Sequence, residues 1–207
     1  MPIPESLLNN LERIPRDRPV ALLMRHSNRF PIDDPEYPYQ AALTEEGFRL
    51  AEEFGFHLRA HFRPGRVMSS PVGRCIDTAA AIARGAGWSV EVLSHTLLSH
   101  DHILPAWTLT EQGGCGSQIP EQVLETIDLL LEHDGDRPVL EVMVTHDTIV
   151  GAVVGCVLKA SVLGEDWPRY LEGVFIWKDG DSIHLLWRGI EQVFQSGFEQ
   201  EPNKNVG

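Results

Sequence analysis

Short apolar runs alternate with longer stretches of helical spacing along the chain. "PVALLM" (19–24) has an unbroken apolar run, which predicts a strand buried on both faces. "RVMSS" (66–70), "WSVEVL" (88–93) and "VLEVMVT" (139–145) predict three more strands. Residues 4–13 read as a short helix. Thr44, followed by Glu45 and Glu46, predicts the start of a helix running to about His61: the hydroxyl caps it and the carboxylates suit its dipole. Ser70 and Pro71 predict the cap and first position of the next helix. Residues 119–133 place Ile119, Val123, Ile127, Leu130 and Leu131 near helical spacing. "IVGAVVGCVL" (149–158) is apolar on nearly every side and predicts a buried helix, with Gly151 and Gly155 permitting close packing. "GVFIWKDGDSIHLLWRG" (173–189) predicts two strands joined at Lys178-Asp179-Gly180-Asp181. Residues 30–43, 94–118 and 190–207 lack a clear period. They predict, in turn, a proline-rich loop, an irregular segment and a loosely ordered tail.

Strands alternating with helices predict an α/β fold: a three-layer αβα sandwich around a mainly parallel sheet. One domain over 1–207 is expected, with a small cap insertion at 94–118 covering the substrate. Ligands in such sheets bind beyond the carboxyl ends of the strands. His26 follows the first strand there, Arg74 lies in the first turn after the second, and His146 and Asp147 follow the fourth.

Charge sharpens this. The net charge of −13 argues against general nucleic-acid binding and against adhesion to an anionic membrane. No apolar run is long enough to cross a membrane, and the start lacks a signal-peptide hydrophobic region. Cys75, Cys115 and Cys156 are odd in number and widely spaced, with neither a disulfide framework nor a paired zinc spacing. A cytoplasmic location is expected. Against this acidic background, Arg25, His26 and Arg29 form a local cationic cluster.

With Arg74 and His146 the cluster becomes two imidazoles and three guanidiniums beside two helix N-termini. That set suits a phosphate dianion. Arginine offers forked donors matched to phosphate oxygens, and helix N-termini add N–H groups and partial positive charge. A purely structural reading needs Asp33, Asp34 and Glu36 to offset the charge. His100, Asp101 and His102 lack further ligands at convincing spacing, so a polar loop is preferred to a metal site. No metal and no cofactor are expected.

These motifs resemble the histidine phosphatase superfamily, which includes phosphoglycerate mutases and histidine acid phosphatases. They occur in order: Arg25-His26 after the first strand, "LTEEG" (43–47), "SSPVGRCIDTA" (69–79) and "VTHD" (144–147). The resemblance implies His26 as the nucleophile and Arg25, Arg74 and His146 as phosphate-pocket residues. "RHSNRFP" (25–31) is similar to the R-H-G-x-R-x-P form of the acid-phosphatase branch, which adds Arg29 to the pocket and implies Asp147 as proton donor. The sequence departs from the family at two points. Ser27 stands where Gly is usual, and "SHTLLSHDHILP" (94–105) lacks the Glu that serves the mutase-like branch as acid. Asp101 is the only carboxylate there, so the acid is Asp147 or Asp101, with Asp147 favoured. Ser27, His100, Asp101, His102, Trp107 and the "GGCG" turn (113–116) are candidates to cover the substrate. The expected function is a phosphomonoester hydrolase acting through phosphohistidine on a small phosphorylated molecule. The alternatives are a phosphomutase and a non-catalytic phospho-ligand-binding protein.

Overall fold

The computed structural model describes residues 2–34, 36–111, 115, 119–133, 135, 137–159 and 162–195. Its sheet has seven strands in the order β3-β2-β4-β1-β5-β6-β7. β1 (Val20–Arg25) lies at the centre, where its unbroken apolar run is buried on both faces. β2 (Pro64–Ser69), β3 (Val92–Ser94) and β4 (Leu140–Thr145) run parallel with it. β5 (Gly173–Asp179) is antiparallel to β1, and β6 (Ser182–Trp187) and β7 (Ile190–Gln195) continue antiparallel. The sheet is therefore mixed, and only its first half is parallel.

Helices cover both faces. α1 (Glu5–Leu11), α2 (Glu45–Arg59) and α3 (Gly73–Ala86) lie on one side, where Leu50, Phe54 and Ile82 pack with Leu22, Met24 and Val144. α4 (His100–Glu111), α5 (Glu121–Leu131) and α6 (Asp147–Val157) lie on the other, where Ile103, Ile127 and Val153 pack with Ala21, Leu23 and Met143. Alternate residues of β1 and β4 thus face opposite cores, which gives the αβα layering.

Several expectations need correction. β3 is only three residues long, so most of "WSVEVL" is not strand. Residues 94–118 are not irregular throughout: a 3₁₀ turn at Thr96–Leu98 leads into α4, which accommodates Pro105. Of the "GGCG" turn, only Cys115 lies within the described residues. Residues 190–195 form edge strand β7; Ile190 and Val193 are exposed, so little burial marks the strand in the sequence. Residues 196–207 lie outside the described residues.

Cys115 and Cys156 form a disulfide, with Cα atoms 5.1 Å apart. Their separation of 41 residues hid this pairing, which depends on α4 packing beside α6. The cysteine spacing thus gives no support for a reducing compartment. Among the described residues, no helix is long and apolar enough to cross a membrane.

Candidate active site

The site is set by strand register. Arg25 pairs with Thr145 across β1 and β4, and the His26 amide donates to the Thr145 carbonyl at 2.9 Å. The Ser70 amide donates to Val144 O on the other side of β4, also at 2.9 Å. His26, Ser70 and His146 therefore leave three adjacent strands at one carboxyl edge.

The start of α2 braces this edge. Thr44 Oγ1 caps the helix by accepting from the Gly47 amide at 3.0 Å. A Cβ at Gly47 would lie 2.1 Å from Asn28 O, so only glycine allows the helix to press against the loop behind the candidate nucleophile. Ser27 fills that contact. It is fully buried, donates its hydroxyl to Gly47 O at 2.8 Å and donates its amide N–H to Thr78 Oγ1 at 3.1 Å. Ser27 thus takes no part in lining the cavity, contrary to its expected substrate-covering place.

Proton positions at His26 follow from its partners. Arg74 Nε donates to His26 Nε2 at 3.0 Å, and a guanidinium is only a donor. Nε2 must accept, so the proton sits on Nδ1, which donates to Ser27 O at 2.8 Å. Burial holds His26 well below the ordinary imidazole value; Arg74, His146 and Arg25 push in the same direction, while the bond to Ser27 O partly opposes them. The ring is neutral and presents the Nε2 lone pair.

His146 is neutral for related reasons. Burial, then the charge of Arg74, brings it down to about 3. Arg74 Nη2 reaches its Nδ1 at 3.4 Å, and Ser70 Oγ lies 3.0 Å from its Nε2. Ser70 therefore serves His146; α3 begins at Gly73 without the expected side-chain cap.

Arg25, Arg74 and Asp147 complete the centre. Burial lowers both guanidiniums from their ordinary value. Arg25 Nη2 meets Asp147 Oδ2 at 2.8 Å, its Nη1 donates to Pro168 O at 2.7 Å, and its Cζ lies over the Tyr170 ring, 4.1 Å from the ring centre. Asp147 Oδ1 accepts from the Thr148 amide at 3.0 Å. Together these groups surround a cavity of about 240 Å³, also walled by Arg29, Ile32, Pro38, Tyr39, His100 and Thr148. Arg29 lines this cavity while donating to Phe30 O.

The remaining covering candidates divide. His100 lines the cavity and bonds Thr148 Oγ1 at 3.0 Å. Asp101 is exposed outside the cavity wall and accepts from Tyr39 OH at 3.3 Å. His102 turns away to Gln122 O and Glu125. Trp107 is buried in the core, edge-on to Trp167. Among the described residues, no group of three or more His, Cys, Asp or Glu side chains could hold a metal ion.

Sequence reasoning missed Tyr39 and the segment Trp167–Tyr170. The first lies in a proline-rich loop, and the second in an unpatterned stretch after the buried helix. Neither carries a period or motif that would place it beside His26.

Residues 23–99 match the model of the histidine phosphatase superfamily (branch 1). That span carries Arg25, His26, Arg29 and Arg74; His146 and Asp147 lie beyond it. The fold agrees with Bacillus stearothermophilus YhfR at TM-score 0.58 and 18% identity, covering 83% of this chain and 96% of that one. It also agrees with phosphoglycerate mutase from Bacillus anthracis str. Sterne at TM-score 0.52 and 16% identity, covering 87% and 94%. An Entamoeba histolytica phosphoserine phosphatase mutant in complex with phosphoserine gives TM-score 0.52 and 16% identity, covering 87% and 98%. No curated protein matches the chain. The chain thus carries the histidine phosphatase superfamily signature over residues 23–99, on a phosphoglycerate mutase-like α/β fold.

Proposed function

We propose that this protein hydrolyses a small phosphomonoester through a phosphohistidine on His26. The observation that carries the reading is the single cavity in which a neutral, oriented His26 faces Arg25, Arg74, His146 and Asp147. Substrate phosphate draws the Arg74 guanidinium onto its oxygens and releases the Nε2 lone pair. Nε2 attacks phosphorus, the bond to the leaving oxygen breaks, and Asp147 supplies the proton that oxygen needs. Arg25, Arg29, Arg74 and His146 hold the equatorial oxygens as charge shifts, since phosphoryl transfer depends chiefly on positioning and electrostatic stabilisation. Water then attacks the phosphohistidine while Asp147 accepts its proton. The N–P bond breaks, inorganic phosphate leaves, and the lone pair returns to Nε2.

Asp147 is preferred to Asp101 as the acid because its carboxylate borders the cavity, whereas Asp101 contacts the outside of Tyr39. The fold shared with a phosphoglycerate mutase supports a second reading, a phosphomutase. The two are separated by a panel of phosphomonoesters assayed for inorganic phosphate and for transferred phosphoryl group. Phosphate release without transfer to a second substrate is expected. Stoichiometric transfer with little release would favour the mutase, and neither product would remove both.

A further inference from the structure

Asp147 has a partner that the superfamily motifs do not name. The indole Nε1–H of Trp167 donates to Asp147 Oδ2 at 3.1 Å, on the same oxygen that Arg25 Nη2 meets at 2.8 Å. We propose that Trp167 is a positioning residue that aims the Asp147 carboxyl for proton transfer.

The packing behind the indole specifies its place. Trp167 meets Trp107 edge-on, with ring centres 5.1 Å apart. Trp107 in turn lies over Gly151 of α6; a Cβ there would come within 2.8 Å of Trp107 Cζ3. One turn back along the same helix is Asp147. Gly151 therefore admits Trp107, Trp107 supports Trp167, and Trp167 returns to the carboxylate at the start of that helix.

The segment carrying Trp167 is also held from the other side. Its carbonyl accepts from Arg188 Nη2 at 3.2 Å, and Arg188 forms two bonds to the buried carboxylate of Glu172. Glu172 O accepts from the Arg25 amide at 2.9 Å, and Leu171 N donates to His26 O at 3.4 Å. Leu171 sits at φ +58°, a conformation that a leucine keeps only when its surroundings impose it. Residues 167–172 thus tie the backbone of Arg25 and His26 to the side chain of Asp147.

The oxygen that works follows from lone-pair counting. Among the described residues, two donors occupy Oδ2, whereas Oδ1 accepts only the Thr148 amide. Oδ1 is left to carry the transferable proton and to present it to the leaving oxygen. Removing the indole N–H frees the carboxyl to turn about its Cβ–Cγ bond and spoils that presentation.

The proposal rests on Asp147 as proton donor. The test compares an alkyl phosphate with a nitrophenyl phosphate in Trp167→Phe, which keeps the ring against Trp107 and deletes the N–H. Turnover of the alkyl ester should fall roughly ten- to a hundredfold, the scale of one hydrogen bond to a charged group. Phosphoenzyme formation from the nitrophenyl ester and inhibition by inorganic phosphate should be retained. In an Asp147→Asn background the same substitution should add nothing, because the two residues act as one unit. Equal loss on both esters, no loss on either, or a full further loss on top of Asp147→Asn overturns the proposal. If Trp167→Phe does not bind phosphate, Trp167→His is read in its place; it keeps a ring N–H and should retain alkyl turnover, and a phosphate-binding His variant that loses it overturns the proposal. Asp147→Asn without leaving-group dependence removes the functional reading and this role together. Asp147→Asn with that dependence, beside an indifferent Trp167→Phe, removes the positioning role alone.

Discussion

Arg74 donates its Nε–H to His26 Nε2 at 3.0 Å, so the guanidinium occupies the lone pair that the proposed chemistry uses. The two residues come from α3 and the end of β1, 48 positions apart. Arg74 orients the ring, keeps it neutral, and is placed to transfer its donors to an incoming phosphate.

Arg74→Ala is accordingly expected to weaken competitive inhibition by phosphate and vanadate roughly ten- to a hundredfold, the loss of charge-assisted bonds. Arg74→Lys should recover only part, since an ammonium lacks the planar fork. Inhibition constants measured on both variants check this; an unchanged constant in Arg74→Ala would place the residue outside phosphate contact.

Asp147→Asn should slow an alkyl phosphate by roughly a hundredfold or more, the scale of general acid–base catalysis. Phosphoenzyme formation from a nitrophenyl ester, whose phenolate leaves largely unaided, should be spared much better, and slow breakdown should give a burst. Asp101→Asn should alter substrate preference through Tyr39 and leave this dependence intact. If the two variants exchange behaviours, the acid is Asp101.

Much of this site was legible because short motifs sit at strand ends. Arg25-His26 and His146-Asp147 needed only β1 and β4 to be recognised as buried strands, and the parallel register then brings the pairs side by side. Ser27 was harder. Its position beside the nucleophile suggested the cavity, but just past the end of β1 its hydroxyl turns to Gly47 O at the start of α2. Trp107 was misplaced for a similar reason: in α4 it faces α6, and no sequence period distinguishes that face from a covering flap. Trp167 and Tyr170 depend on a loop conformation with Leu171 at positive φ, which nothing in "EDWPRYLEG" announces.

Ser27→Ala follows from that correction. The variant loses a buried hydroxyl-to-carbonyl bond to Gly47 and is expected to unfold at lower urea, by about 1 kcal/mol. Rank order among substrates should stay as in the wild type. A reordered preference at unchanged stability would return the side chain to the cavity.

Acid should destabilise the fold through its two buried imidazoles. Unfolded, His26 and His146 bind protons near the ordinary imidazole value of 6.5; folded, both resist, His146 down to about 3. Protons therefore favour the unfolded chain across that window. The stability these neutral rings contribute is complete above pH 6.5 and is lost as pH falls toward the folded values. Urea unfolding between pH 7 and pH 4 should show the wild type's advantage over His146→Asn shrinking. Parallel curves would mean that His146 does not titrate out of a buried neutral state.

The most direct measurement is covalent. Protein mixed with a nitrophenyl phosphomonoester and quenched during turnover should carry one phosphoryl group that is labile to acid and stable to base, located on His26 by peptide mass. His26→Ala should carry none and should lose turnover. A fully active His26→Ala protein, or a phosphoryl group found on any other residue, would contradict the account.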